Sequence, residues 1–256
     1  MKRLIIYIAA ILIFASTENA YCEVIRLATM NWQPFYGKNL SEGGFFTALS
    51  REAFKRSGYE LKVVFIPWKR ALEKSKEGNF DGLLGAYYSD ERENHYYFTD
   101  PIASNDEVFI TRKGHDITYN NLDDLKNIRI GGLRGGAQST ELIKQGFRIE
   151  LASDDILNIK KLNFKRFDLI IIGKQSFYYL LSSLEELKPF SGNFDVLEPP
   201  YKTYDLFVTI TKKRINGKDI VNKFNKALQD MKSDGSYFEI IKRFGQNVQI
   251  LYTKSQ

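Results

Sequence analysis

Short apolar runs, each followed by a stretch with helical spacing, recur along this chain and dictate its class. VIRLATM (24–30), YELKVVFI (59–66) and FDGLLGAY (80–87) read as strands. Between the first two, residues 45–57 carry Phe46, Leu49 and Ala53 at helical spacing, with Gly58 as the stop. Pro67 then opens a helix with Trp68, Ala71 and Leu72 on one face and Gly78 just past its end. Strands alternating with helices imply a parallel α/β sheet, because parallel neighbours need a crossover between them.

The pattern then restarts. LDDLKN (122–127) precedes the strand IRIGGL (128–133), the loop RGGA and a helix from about Gln138. RIELAS (148–153) and FDLIIIG (167–173) are further strands, followed by the helices DDILNIKKL and SFYYLLSSL respectively. FDGLLG and FDLIIIG look like one element used twice, so two similar α/β halves are expected. After Pro199 and Pro200, YDLFVTITKK leads into a long helix with Ile220, Val221, Phe224, Leu228 and Met231 in one stripe. A last helix, SYFEIIKRF, closes at Gly245. With 256 residues and 43% of them hydrophobic, the chain has material for two lobes of ~100 residues each.

Residues 1–22 stand apart. Lys2 and Arg3 precede the apolar run Leu4 to Ala15, and the polar STENAYC follows. That order is the one of a cleaved secretory signal peptide, and the run is shorter than the ~20 residues a membrane-spanning helix needs. Cleavage before Glu23 is expected; the other reading anchors a lipid on Cys22. Cys22 is the only cysteine, so no internal disulfide can form. An exported chain without disulfides fits a bacterial periplasm. The net charge of +6 comes from lysines spread along the sequence, which suits a solvated basic surface rather than a nucleic-acid groove.

In open parallel sheets, ligands sit where strands end and the next helices begin. Unpaired backbone N–H groups at helix starts favour anions there. Trp32 follows the first strand, Trp68 and Arg70 begin the next helix, and Tyr87, Tyr88 and Arg92 follow the third strand. Arg134, Gly136 and Gln138 follow the first strand of the second half, and Gly173 with Lys174 ends its third. A guanidinium at such a rim can fork onto a carboxylate, and aromatic faces can sandwich an apolar, planar or cationic group. Each has an alternative: Arg92 pairing with Asp90 or Glu93 at the surface, Trp68 anchoring the core. In an extended chain Tyr87 and Tyr88 point to opposite sides, so one of them at most faces the crevice.

The stretch PWKRALEKSKEGNFDGLLGAYYSDERENHYYFTDPI resembles the family-3 extracellular solute-binding proteins through Gly78, Asp81, Glu91, Arg92, Phe98, Thr99 and Pro101. KFNKALQDMKSDGSYFEIIKRFG is similar to that family's closing helices, and MNWQPF and GGFF to its first strand end and first helix. The resemblance implies a type II periplasmic binding fold: two Rossmann-like lobes with mainly parallel sheets, joined by two hinge strands and closing on a ligand. It sets lobe one at 23–110 and 206–256 and lobe two at 111–205. Arg92 falls where the family holds an α-carboxylate, Trp32 and Trp68 where side chains line the pocket, and Arg134 to Ala137 where hydroxyls often face the ligand. The position that commonly carries the acidic partner of an α-ammonium is Gly173, beside Lys174. A buried ammonium without a partner is costly, which weighs against an ordinary zwitterionic amino acid; the expected ligand is a small carboxylate-bearing one with an apolar or aromatic portion, an amino acid or a related organic acid.

The leading expectation is therefore a monomeric periplasmic binding protein that serves a separate inner-membrane ABC permease or membrane sensor, without cofactor or metal. The competing class is an enzyme on the same fold, dehydratase- or lyase-like. That reading needs an acid or base in the cleft, and His95 and His115, the only histidines, are expected in solvent.

Overall fold

The computed structural model describes residues 22–245, so the expected signal peptide lies outside the described residues apart from Cys22, which is exposed. The first half runs β1 (Glu23–Thr29), α1 (Phe45–Arg56), β2 (Tyr59–Phe65), α2 (Trp68–Lys76), β3 (Gly82–Tyr87), α3 (Asp90–Glu93) and β4 (Tyr96–Phe98). β5 (Ala103–Arg112) crosses to the second half, with β6 (Ile130–Leu133), α4 (Ala137–Lys144), β7 (Ile149–Ala152), α5 (Asp155–Asn163), β8 (Leu169–Gly173), α6 (Lys174–Ser183) and β9 (Phe194–Val196). β10 (Lys202–Thr211) returns, and α7 (Gly217–Ser233) and α8 (Ser236–Arg243) finish on the first half.

The strands form one sheet in the order β2-β1-β3-β10-β5-β8-β6-β7, with β4 on β10 and β9 on β5. β1 is parallel to β2 and β3, and β6 is parallel to β7 and β8; every antiparallel pair involves β5 or β10. Two parallel α/β units are thus stitched together by two antiparallel strands that are each other's neighbours. This is the type II periplasmic binding architecture.

Core membership follows strand alternation. On β8, Ile170 and Ile172 join Val108, Ile159 and Phe177 on one side, whereas Leu169 and Ile171 join Phe109, Ile130 and Leu142 on the other. Successive side chains of a strand face opposite ways, so an all-apolar strand must be covered on both faces. The first half has its own core, where the α7 stripe of Ile220, Val221, Phe224, Leu228 and Met231 is buried as its spacing predicts. Phe224 meets Phe54 of α1 with ring centroids 4.8 Å apart. Each such apolar side chain contributes about 1.5–3 kcal/mol on burial.

Local periodicity does not single out β5. Its opening residues Ser104, Asn105 and Glu107 are polar yet almost fully buried, because there the strand passes behind the cleft rather than through an apolar core. Asp81 and Thr99, two residues that carry the family resemblance, are structural. Asp81 accepts the N–H of Arg26 at 2.7 Å and pairs with Arg214; the Thr99 hydroxyl donates to the Val208 carbonyl at 3.1 Å.

Candidate functional site

A small cavity of about 30 Å³ lies where the strand ends of both halves meet. Tyr87, the last residue of β3, reaches it, and its hydroxyl donates to Glu107 Oε1 on β5 at 2.7 Å. Tyr87 also stacks on Tyr204 of β10, with centroids 4.5 Å apart. Tyr88 points away as alternation requires: it is 42% exposed, and its hydroxyl donates to Glu93 at 2.6 Å.

Ser89 caps the short helix α3 by accepting the Arg92 N–H, and this turn puts the Arg92 side chain inside. Nη1 donates to the Tyr87 carbonyl at 2.7 Å and Nη2 to the Gly135 carbonyl at 3.0 Å. The guanidinium lies over the Trp68 ring at 5.4 Å from its centroid. Burial pulls its pKa down to about 10, with Tyr96, Tyr36 and Glu91 acting the other way. Its hydrogen bonds go to these carbonyls and not to Asp90 or Glu93. Trp68 both packs into the first core and lines the cavity, and its Nε1 donates to the same Gly135 carbonyl at 3.0 Å. Gly135 has φ of +81°, which a residue with a side chain adopts only under strain; this turn aims its carbonyl across the cleft.

Trp32 stacks on Phe35 at 4.6 Å and meets Tyr87 edge-on at 5.8 Å. Gly136 and Gln138 begin α4 and line the cavity, and Gln138 Nε2 donates to Glu107 Oε2 at 3.3 Å. Three other expected residues lie elsewhere. Arg70 is exposed on α2, Arg134 is exposed and donates to the Leu151 carbonyl, and Lys174 pairs with Glu198 at 2.6 Å. Lys174 thus has a carboxylate partner outside the cavity, whereas its neighbour Gly173 lines it.

Two acids that sequence reasoning missed also line the cavity, Glu107 and Asp155. Burial pushes the Glu107 carboxyl up to about 8, with Asp155 adding to the rise and the Tyr87 and Gln138 hydrogen bonds opposing it. Burial, then the charge of Asp154, pushes Asp155 up to about 7 against a hydrogen bond from Trp32. A signal for Asp155 existed in the sequence. In SDDIL one aspartate caps α5, Asp154 accepting the Leu157 N–H at 2.8 Å, and the second is surplus to that task. Glu107 closes the polar stretch SNDE at the start of β5, which gives no local sign that its carboxyl is buried. Among the described residues no three His, Cys, Asp or Glu side chains gather as metal ligands.

Known proteins match both the sequence and this architecture. The chain belongs to the bacterial extracellular solute-binding proteins, family 3, whose family model matches residues 25–247. It is a solute-binding protein, from a family of binding proteins rather than enzymes. A probable histidine-binding protein of Campylobacter jejuni is 28% identical over 237 residues, 90% of this chain and 88% of that protein. The histidine-binding periplasmic protein of Escherichia coli is 25% identical, covering 95% and 97% of the two chains. Among solved structures, a histidine kinase sensor domain similar to periplasmic binding proteins superposes with a TM-score of 0.75 at 17% identity, over 86% of this chain and 95% of that one.

Proposed function

We propose that the cleft captures a small carboxylate-bearing solute between two lobes, 23–110 with 206–256 and 111–205. Arg92 holds the carboxylate, and Trp32, Trp68 and Tyr87 enclose the remainder, with Gly136 and Gln138 at the start of α4 closing the far side. The protein acts in the periplasm once residues 1–22 are removed. As a monomer, it hands the solute to an inner-membrane ABC permease or shows it to a membrane sensor.

One observation carries this reading. Arg92 is 8% exposed, and among the described residues no carboxylate forms an ion pair with it. A buried charge without a counter-charge is destabilising, and an incoming carboxylate supplies the missing partner with two parallel hydrogen bonds. The names of the histidine-binding relatives support an amino-acid-like solute. With only about 30 Å³ between the walls, the lobes must part to admit it, and a ligand that touches both then favours closure.

The test is thermal unfolding of refolded residues 23–256 against amino acids, organic acids and amines. A ligand at 100 times its Kd adds ~2.7 kcal/mol of stability. Arg92→Met should remove the shift given by carboxylate-bearing ligands. An undiminished shift in that variant would refute the role of Arg92.

A further inference from the structure

Away from the cleft, α5 carries a stripe that the core does not use. Ile159 and Leu162 enter the core from one side of this helix. On another side Leu157, Lys160, Lys161 and Phe164 follow at the three- and four-residue spacing of a single helix face. Leu157 is 38% exposed, and Phe164, although it meets Phe190 edge-on at 5.8 Å, is 64% exposed.

The surroundings are basic. Lys165 and Arg166 follow Phe164 and are exposed. Arg129 and Arg166 share a shallow hollow of about 620 Å³ with the stripe, with Glu150 as the acid on its wall. Lys160 pairs with Glu186 and Arg129 with Asp168, whereas among the described residues no carboxylate lies within ion-pair distance of Lys161, Lys165 or Arg166. Arg129 and Arg166 stand just ahead of β6 and β8, so the patch lies at the amino ends of strands whose carboxyl ends form the cleft. A partner seated there leaves the cleft free.

The turn that ends α5 is a second, independent observation. The Arg166 N–H donates to the Lys161 carbonyl at 2.8 Å and the Lys165 N–H to the Leu162 carbonyl at 3.1 Å, the paired bonds of a Schellman motif. The motif needs a left-handed residue, here Lys165 with φ of +62°. After α1, α2, α4, α7 and α8 that conformation falls to Gly58, Gly78, Gly146, Gly235 and Gly245. A lysine there is strained where glycine is not, so ending the helix does not account for it. The helix dipole favours cations in the last turn and accounts for Lys160 and Lys161. It accounts neither for a strained cation beyond that turn nor for an exposed phenyl ring among the charges.

We propose that this face of the second half docks on an anionic phospholipid surface. Lys161, Lys165 and Arg166 lie over the headgroups, and Phe164 and Leu157 enter the boundary with the acyl chains. Cations surrounding a few exposed apolar side chains suit a charged interface between water and lipid. An acidic protein matches the charge equally, but apolar side chains separated by lysines offer it no continuous apolar centre to bury. The inference goes beyond solute capture and does not depend on it.

The experiment is co-sedimentation of residues 23–256 with vesicles. That stretch holds both halves of the fold and omits the apolar run Leu4 to Ala15, which would enter a bilayer by itself. The probes are vesicles of phosphatidylcholine alone and of phosphatidylcholine with about one third phosphatidylglycerol, each at ~0.05 and ~0.5 M salt, with soluble polyglutamate standing in for an acidic protein. The protein should bind the anionic vesicles at low salt, leave them at high salt, and bind the neutral ones at least about tenfold more weakly. Lys165→Gly should weaken that binding about fivefold yet raise the urea midpoint, because it removes a cation and a strained residue together. Adding Arg166→Gln should bring the loss to about 25-fold, and Phe164→Ser should weaken binding about threefold or more with its salt dependence unchanged. Lys55→Gln with Lys242→Gln removes two exposed charges from α1 and α8 and should bind as the parent does. Equal loss in that control would make binding a matter of net charge and overturn the assignment to this face. Equal affinity for both kinds of vesicle, or binding to neither, overturns the lipid proposal. Binding to polyglutamate but to no vesicle overturns it too, and gives the face to an acidic protein.

Discussion

Asn105 occupies the space that a side chain on residue 173 would need. Gly173 itself has φ of −60°, so its backbone suits any residue, and only the approach of Asn105 and Trp32 keeps the position bare. Gly173→Ala should therefore cost about 1–3 kcal/mol by overpacking, read as a lowered urea midpoint. Adding Asn105→Ala should recover much of that loss. Strict additivity of the two changes would show that they do not compete for one space.

Trp68 and Arg92 both hold the Gly135 carbonyl from the opposite side of the cleft. Trp68→Phe deletes one of the two donors and about 1 kcal/mol of the contact. The solute-free protein should then shift toward the open form roughly fivefold, seen as longer distances between spin labels placed on the two lobes. Unchanged distances would mean that other contacts set the closure.

Stability should fall as the pH rises through neutrality. Glu107 and Asp155 hold protons up to about 8 and about 7 when folded, against 4.5 and 3.8 for the free groups. Folding thus takes up protons between about pH 4 and 8. The benefit is fully present below that window and gone above it, a swing on the order of several kcal/mol. Thermal midpoints from pH 5 to 8.5 should decline, and Glu107→Gln should flatten the curve and lie above the parent at pH 8.

The adjacent tyrosines should respond oppositely to the same change. Tyr87→Phe strips Glu107 of its 2.7 Å donor and leaves Asn105 Nδ2 without the hydroxyl it meets at 2.9 Å, at a cost of about 1–3 kcal/mol. Tyr88→Phe loses only an exposed bond to Glu93 and should stay within about 0.5 kcal/mol of the parent. Paired urea denaturations decide the matter.

What the sequence made legible follows from periodicity. The α7 stripe and the β8 run announce themselves because apolar burial repeats at 3.6 or 2 residues, and the rim rule placed Trp32, Trp68, Tyr87 and Arg92 at strand ends. Burial of polar groups has no such repeat. Glu107 and Asn105 are inside because the crossing strand runs behind the cleft, a tertiary circumstance that no local pattern records. Lys174 and Arg134 obeyed the rim rule in position, but their long side chains found Glu198 and the Leu151 carbonyl outside the cavity. Position along a strand fixes where a backbone ends; it does not fix where a flexible cation comes to rest.

The Gly135 carbonyl gives the cleft a placeholder of its own. On the proposed reading, a solute does not meet a waiting guanidinium; it trades places with a backbone oxygen already seated on it. A neutral carbonyl on the solute merely matches what it displaces, while a full negative charge surpasses it. Recognition at Arg92 then works as an exchange that filters by charge, so amides and esters of a bound acid would be turned away without any group in the cleft opposing them.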